Sequence, residues 1–127
     1  MARIITSPLK IKAAGTVEKL IEEYIGIANS GTGEVSIAMM NSPSGWSEPG
    51  QTPEFDEYSI VLSGVLRVNC GENEYNVTAG QCVIARKNEW VQYSTPDKDG
   101  ARYVSVCVPA FSPETVHRDG QDPRQQG

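Results

Sequence analysis

From residue 34 onward this chain is cut into short runs of β-favouring residues, and that rhythm constrains its fold more than any other feature. The runs cover 35–40, 58–62, 65–70, 74–78, 81–85, 90–94 and 101–108. Turn-forming groups separate them: Ser42-Pro43-Ser44-Gly45, Pro49-Gly50, Ser63-Gly64, Gly71-Glu72-Asn73, Ala79-Gly80, Lys87-Asn88 and Pro96 to Gly100. Glycine, proline and asparagine supply the backbone angles that reverse a chain. Several short strands at even spacing predict an all-β sandwich or barrel. A length of 127 residues suits one domain with a proper core.

The N-terminal part reads differently. Residues 3–12 look extended. Thr16 then reads as a helix N-cap, and Val17, Leu20, Ile21, Tyr24 and Ile25 share one face at helical spacing, with Glu18, Glu22 and Glu23 opposite and Gly26 as the stop. A short amphipathic helix is the expectation. The organisation is therefore an arm and helix over 1–32, a barrel over 33–112, and a C-terminal tail over 113–127, whose polar end from Asp119 onward is frayed or docked on a partner.

Charge narrows the partners. Sixteen acidic residues outnumber eleven basic ones, for a net charge of −5. The basic residues form no stripe, which argues against nucleic acid and against anionic membranes. No apolar run approaches the ~20 residues of a membrane span. The first residues lack the pattern of a signal peptide, so a cytoplasmic location is expected. Cys70, Cys82 and Cys107 form no Cys-x-x-Cys pair and are expected to be buried small hydrophobes.

The stretch 45–64 carries the chemistry. Gly45, Gln51, Pro53, Glu57 and Gly64 stand at the spacing G-x5-H-x-H-x3-E-x6-G, with Gln51 and Pro53 in the two histidine places. Gly80, Arg86, Asn88, Val91 and Thr95 stand at G-x5-P-x-G-x2-H-x3-N, where only the first glycine matches. On these residues the chain resembles the cupin superfamily over roughly residues 33–112. Asp56-Glu57, Val61-Leu62-Ser63-Gly64, Ala79-Gly80-Gln81 and Tyr93-Ser94-Thr95-Pro96 look most like the small ethanolamine-utilisation Q-type cupins. The resemblance implies a double-stranded β-helix, or jelly-roll barrel, with a cup between two walls, and a homodimer formed by trading an N-terminal strand. Residues 109–120 are also similar to the end of ectoine synthase, another cupin, which flags His117.

A cupin metal is usually held by three histidines and one glutamate. Here Glu57 alone survives, and His117 is the single histidine in the chain. No metal ligand and no cofactor are therefore assigned; a divalent metal at an atypical site built with Glu54, Tyr93 and His117 is the alternative. With Glu57 pointing inward, the two-residue period turns Gln51, Phe55, Ser59 and Val61 inward and Glu54, Tyr58 and Ile60 outward. A buried carboxyl drifts toward neutrality and moves protons. Glu57 and Tyr93 are accordingly the catalytic candidates, and Gln51, Glu54, Met40 and His117 the ligand-binding ones. One functional reading is a small-molecule enzyme, a metal-independent lyase or isomerase. The other is a non-catalytic ligand-binding module or a structural cupin of a metabolic assembly. A G-x-x-x-x-G-K-[ST] loop and a G-x-S-x-G elbow are both absent from the sequence.

Overall fold

The structure is a computed structural model and describes residues 1–120. The expectation that the tail frays or docks falls largely on 121–127, outside the described residues. Nine strands run in order: β1 (Leu9–Lys12), β2 (Leu20–Ile25), β3 (Ser36–Ser42), β4 (Trp46–Ser47), β5 (Asp56–Asn69), β6 (Glu74–Thr78), β7 (Cys82–Ala85), β8 (Gln92–Thr95) and β9 (Ala101–Val108). Among the described residues there is no helix. The strands form one curled antiparallel sheet in the order β1-β2-β3-β9-β5-β8-β4, with β6 and β7 also paired to β5. The fold is the all-β jelly-roll barrel that the strand rhythm and the resemblance imply.

The long strand β5 joins the two walls of the barrel. Its first part pairs with β7 and β9, its last part with β6 and β8. A register shift between Val61 and Ser63 bends it at the junction. Gly64 lies there at φ +76°, and a Cβ on it would meet the Gly100 carbonyl oxygen at 2.1 Å. The sequence suggested a turn between two strands at Ser63-Gly64. The backbone instead runs on through a bulge, because Val65 keeps its pairing with Thr78 across the bend.

The expected helix is a correction. Residues 20–25 form β2, hydrogen-bonded to β1 on one side and β3 on the other. Lys19, Ile21 and Glu23 face inward, while Leu20 and Tyr24 are exposed. This alternation has period two, and sheet pairing on both edges outweighs a helical pattern only a few residues long. Thr16, read as an N-cap, donates its backbone N–H to the Ser47 carbonyl at 2.8 Å.

Along β5 and the segment before it, Gln51, Pro53, Phe55, Glu57, Ser59 and Val61 are all buried, and Glu54 and Ile60 are exposed. Trp46, Val61, Leu66, Val68, Val77, Val91, Tyr93, Ala101 and Tyr103 make the main core. Phe55, Cys107 and Val116 make a second cluster, with Phe111 packed edge-on against Phe55 at 5.9 Å. Cys107 is buried, but Cys70 and Cys82 are exposed, contrary to their reading as core residues.

Candidate functional site

The two walls enclose a cavity of about 190 Å³. Glu57 enters it from β5, Tyr93 from β8, Met40 from β3, and Gln51 from the segment before β5. Gln51 is fixed by backbone bonds in both directions to Val91, each 2.9 Å. Two of the three positions that carry histidines in the resembled motifs thus face each other across one bridge, occupied by an amide and an aliphatic side chain. Four of the six residues singled out from sequence meet in this cavity. Glu54 and His117 do not. Glu54 sits on the outward side of its segment and pairs with the His117 Nε2 at 2.5 Å on the surface, both about half exposed.

The cavity also holds charged groups that sequence reasoning missed. Lys19 stands just before β2, Glu48 just after β4, and Arg118 in the segment that crosses back and bridges to Gln51. A short pattern read as a helix hid Lys19, and nothing in the local sequence marked Glu48. The signal available for Arg118 was its position one residue after His117. Lys19 is 8% exposed; its ammonium donates to the Tyr103 hydroxyl at 2.7 Å and lies 3.7 Å from the Trp46 ring centroid. A cation on an indole face gains about 1–2 kcal/mol when desolvated, which offsets part of the cost of burial.

Burial governs how these groups titrate. It pushes the Glu48 carboxyl up to about 7, against the pull of Lys19. It draws the Lys19 ammonium down to about 8, against the pull of Glu48 and Glu57. It raises Glu57 as well; a hydrogen bond from Ser105, the charge of Lys19, the nearby Tyr93 hydroxyl and Arg118 each hold it back. Tyr93 is raised by its own burial and then by Glu57 and Glu48. Its hydroxyl faces Glu57 but makes no hydrogen bond of normal geometry among the described residues, and the buried Nε of Arg118 makes none either. Arg67 pairs with Glu74 at 2.8 Å, and Arg86 lies near Asp56. Neither reaches the cavity.

The donor set does not suit a divalent transition metal. Such ions favour neutral imidazole or thiolate. Here the motif places hold Gln51, Pro53, Glu57 and Val91, and the charges of Lys19 and Arg118 reach Glu57. Among the described residues no three His, Cys, Asp or Glu side chains converge as ligands. The site is instead a cluster of three acids, Glu23, Glu48 and Glu57, and two cations, Lys19 and Arg118, with tyrosines beside them, an arrangement suited to binding a polar metabolite and moving its protons.

The family described as "Cupin domain" matches residues 38–107. The chain is 41% identical over 108 residues to a Myxococcus xanthus (strain DK1622) protein named "Endoribonuclease YbeY". That match covers 85% of this chain and 37% of the relative, so the chain spans little more than a third of that protein's length. Among solved structures it is similar to the Clostridium difficile EutQ protein, at TM-score 0.62 and 21% identity, over 75% of this chain and 65% of that one. It is also similar to the polyketide cyclase RemF from Streptomyces resistomycificus, at TM-score 0.72 and 17% identity, over 97% and 88%. A third likeness is to an oxalate decarboxylase from Bacillus subtilis, at TM-score 0.73 and 12% identity, over 96% and 34%.

Proposed function

The chain belongs to the cupin family, and from that premise we propose that it binds a small metabolite in its cup and moves a proton on it through Glu57. The reaction class is a metal-independent lyase or isomerase. One observation carries the reading: Glu57 lies on the cavity wall, almost fully buried, with no ion pair at contact distance among the described residues and a carboxyl raised by desolvation. A carboxyl drawn toward neutrality both accepts and returns a proton near pH 7. Tyr93, raised by the same burial, serves as a hydrogen-bond donor to the substrate rather than as a base. Glu48 and Lys19 stand as the complementary acid–base pair. Gln51 and Met40 shape the cup.

The test is hydrogen exchange. The protein is incubated in D2O with a panel of small carbonyl and hydroxy compounds, and proton NMR follows deuterium entering carbon positions. Exchange on a panel member, lost in Glu57→Gln with the fold intact, supports the reading; equal exchange by Glu57→Gln sinks it. A second reading, a non-catalytic ligand-binding or structural cupin, is favoured by the Ser105 hydroxyl, which donates to Glu57 and fixes its carboxylate. Ligand binding without exchange on any compound would select it.

RNA cleavage, named for the Myxococcus protein, is left outside this reading. A net charge of −5 and a cavity of about 190 Å³ support a small ligand over a polyanion. Exposed free Cys70 and Cys82 are in keeping with a reducing, cytoplasmic setting. The proposed homodimer packs through the outer face of the β7-β5-β9 wall. Ile60, Leu62, Ile84 and Val108 are 45%, 43%, 53% and 42% exposed there, and apolar residues on both faces of a sheet call for cover on both.

A further inference from the structure

The cavity holds more hydrogen-bond donors than it satisfies. The Arg118 Nε–H and the Tyr93 hydroxyl are both shielded from solvent; the Nε–H has no partner among the described residues, and the hydroxyl, which faces Glu57, has none of normal geometry. Both residues line the cavity, and Tyr93 is 4% exposed. Buried polar groups in native proteins are nearly always paired, and an unpaired one marks a missing partner. The Lys19 ammonium, which lines the same cavity, adds further donor capacity beyond its bond to Tyr103. On the acceptor side Glu57 is already engaged by Ser105.

We propose that the cup takes a small monocarboxylate, its oxygens received by the Arg118 Nε–H, the Tyr93 hydroxyl and the Lys19 ammonium. This names a substrate class and rests on the reading of the cavity as the binding site. A guanidinium N–H and an ammonium make charge-assisted bonds to a carboxylate, the strong kind. An amine offers donors, whereas the unpaired Arg118 Nε–H needs an acceptor. A phosphate would bring two charges against Glu23, Glu48 and Glu57, which share the cavity. The volume of about 190 Å³ corresponds to roughly six water molecules, room for an acid of a few carbons.

Calorimetric titration with three probes of similar size tests this: lactate, its neutral amide lactamide, and inorganic phosphate. Saturable binding of lactate at millimolar concentration, about tenfold or more tighter than either other probe, is the expected result. Arg118→Gln should weaken lactate about tenfold and leave lactamide unchanged. Arg118→Lys keeps the charge without the Nε–H and guards against a folding defect, which circular dichroism checks; it should also bind lactate weakly. Lactamide or phosphate binding as well as lactate, a folded Arg118→Gln with wild-type affinity, or no binding of any carboxylate of one to five carbons would each overturn the proposal. Lactate binding without deuterium exchange keeps this assignment and removes the proton-transfer reading. Exchange on neutral carbonyls with no carboxylate preference does the reverse.

Discussion

Lys19 and Tyr103 meet in the barrel interior, 84 positions apart in the chain, through a hydrogen bond of 2.7 Å from the ammonium to the phenol oxygen. The contact ties the segment before β2 to β9, two strands over. It also sets a cation beside Glu48 and Glu57 in the cup, so it is both a structural tie and the counterweight that keeps those two acids titratable.

Replacing Lys19 by Met should therefore cost stability while raising the acids. The Tyr103 hydroxyl keeps its longer contact to Ser42, at 3.4 Å, so it is not fully stranded. A loss of about 1–3 kcal/mol in urea unfolding is expected, from the lost charged hydrogen bond and the lost cation–ring contact. No loss would show that the pair contributes nothing.

Ser105→Ala removes the hydroxyl that donates to Glu57 and holds its carboxyl down. Loss of a donor to the charged form raises the pKa of an acid. The limb of the pH–rate profile that reports Glu57 should move to higher pH in this variant. An unmoved limb would assign it to another group.

Stability should fall as pH rises from about 4.5 to about 7. Glu48 titrates in the folded chain at about 7, above its ordinary 4.5. The folded state then binds more protons than the unfolded one in that window, so raising pH favours unfolding. Glu57, raised in the same direction, adds to the effect. Lys19, drawn from 10.5 down to about 8, acts at higher pH. Its unfolded state binds more protons there, so stability recovers between about 8 and 10.5. Because Glu48 keeps some exposed surface, the drop is expected at about 1–2 kcal/mol rather than the full ~3 kcal/mol of its shift. Thermal melts at pH 5 and pH 7.5 read it, and a higher melting temperature at pH 7.5 would contradict it.

Gly64→Ala should destabilise far more than Gly80→Ala. Both glycines have positive φ, +76° and +85°. A Cβ at 64 meets a backbone oxygen at 2.1 Å, whereas one at 80 meets nothing within 4 Å. The expected costs are about 1 kcal/mol at 80, for the backbone angle alone, and more than about 3 kcal/mol at 64, where β5 and the Gly100 turn must separate. Similar urea midpoints for the two variants would refute the comparison.

If the outer wall is a dimer face, Ile60→Asp combined with Ile84→Asp should yield a folded monomer. Light scattering after size exclusion decides it; an unchanged mass for wild type and variant would remove the proposed interface.

The chain by itself determined the architecture. Short alternating runs between turn residues dictate an antiparallel barrel, because each strand carries its own period and each turn its own backbone requirement. Strands β6 and β9 fall at the very residues where the runs 74–78 and 101–108 lie. The same period was enough to bury Gln51 and Glu57 and to leave Glu54 outside. What tertiary structure decided was the rest of the cup. Residues 17–25 suit a helix locally, yet 20–25 became a strand because two neighbouring strands offered ladders on both sides. That choice brought Lys19 inward. Glu48 and Arg118 joined it from segments far apart in the chain, and no local pattern records such a meeting. Periodicity is a property of neighbours in sequence. A charge cluster is made by strands that meet only when the barrel closes, and its desolvation exists only in the closed barrel.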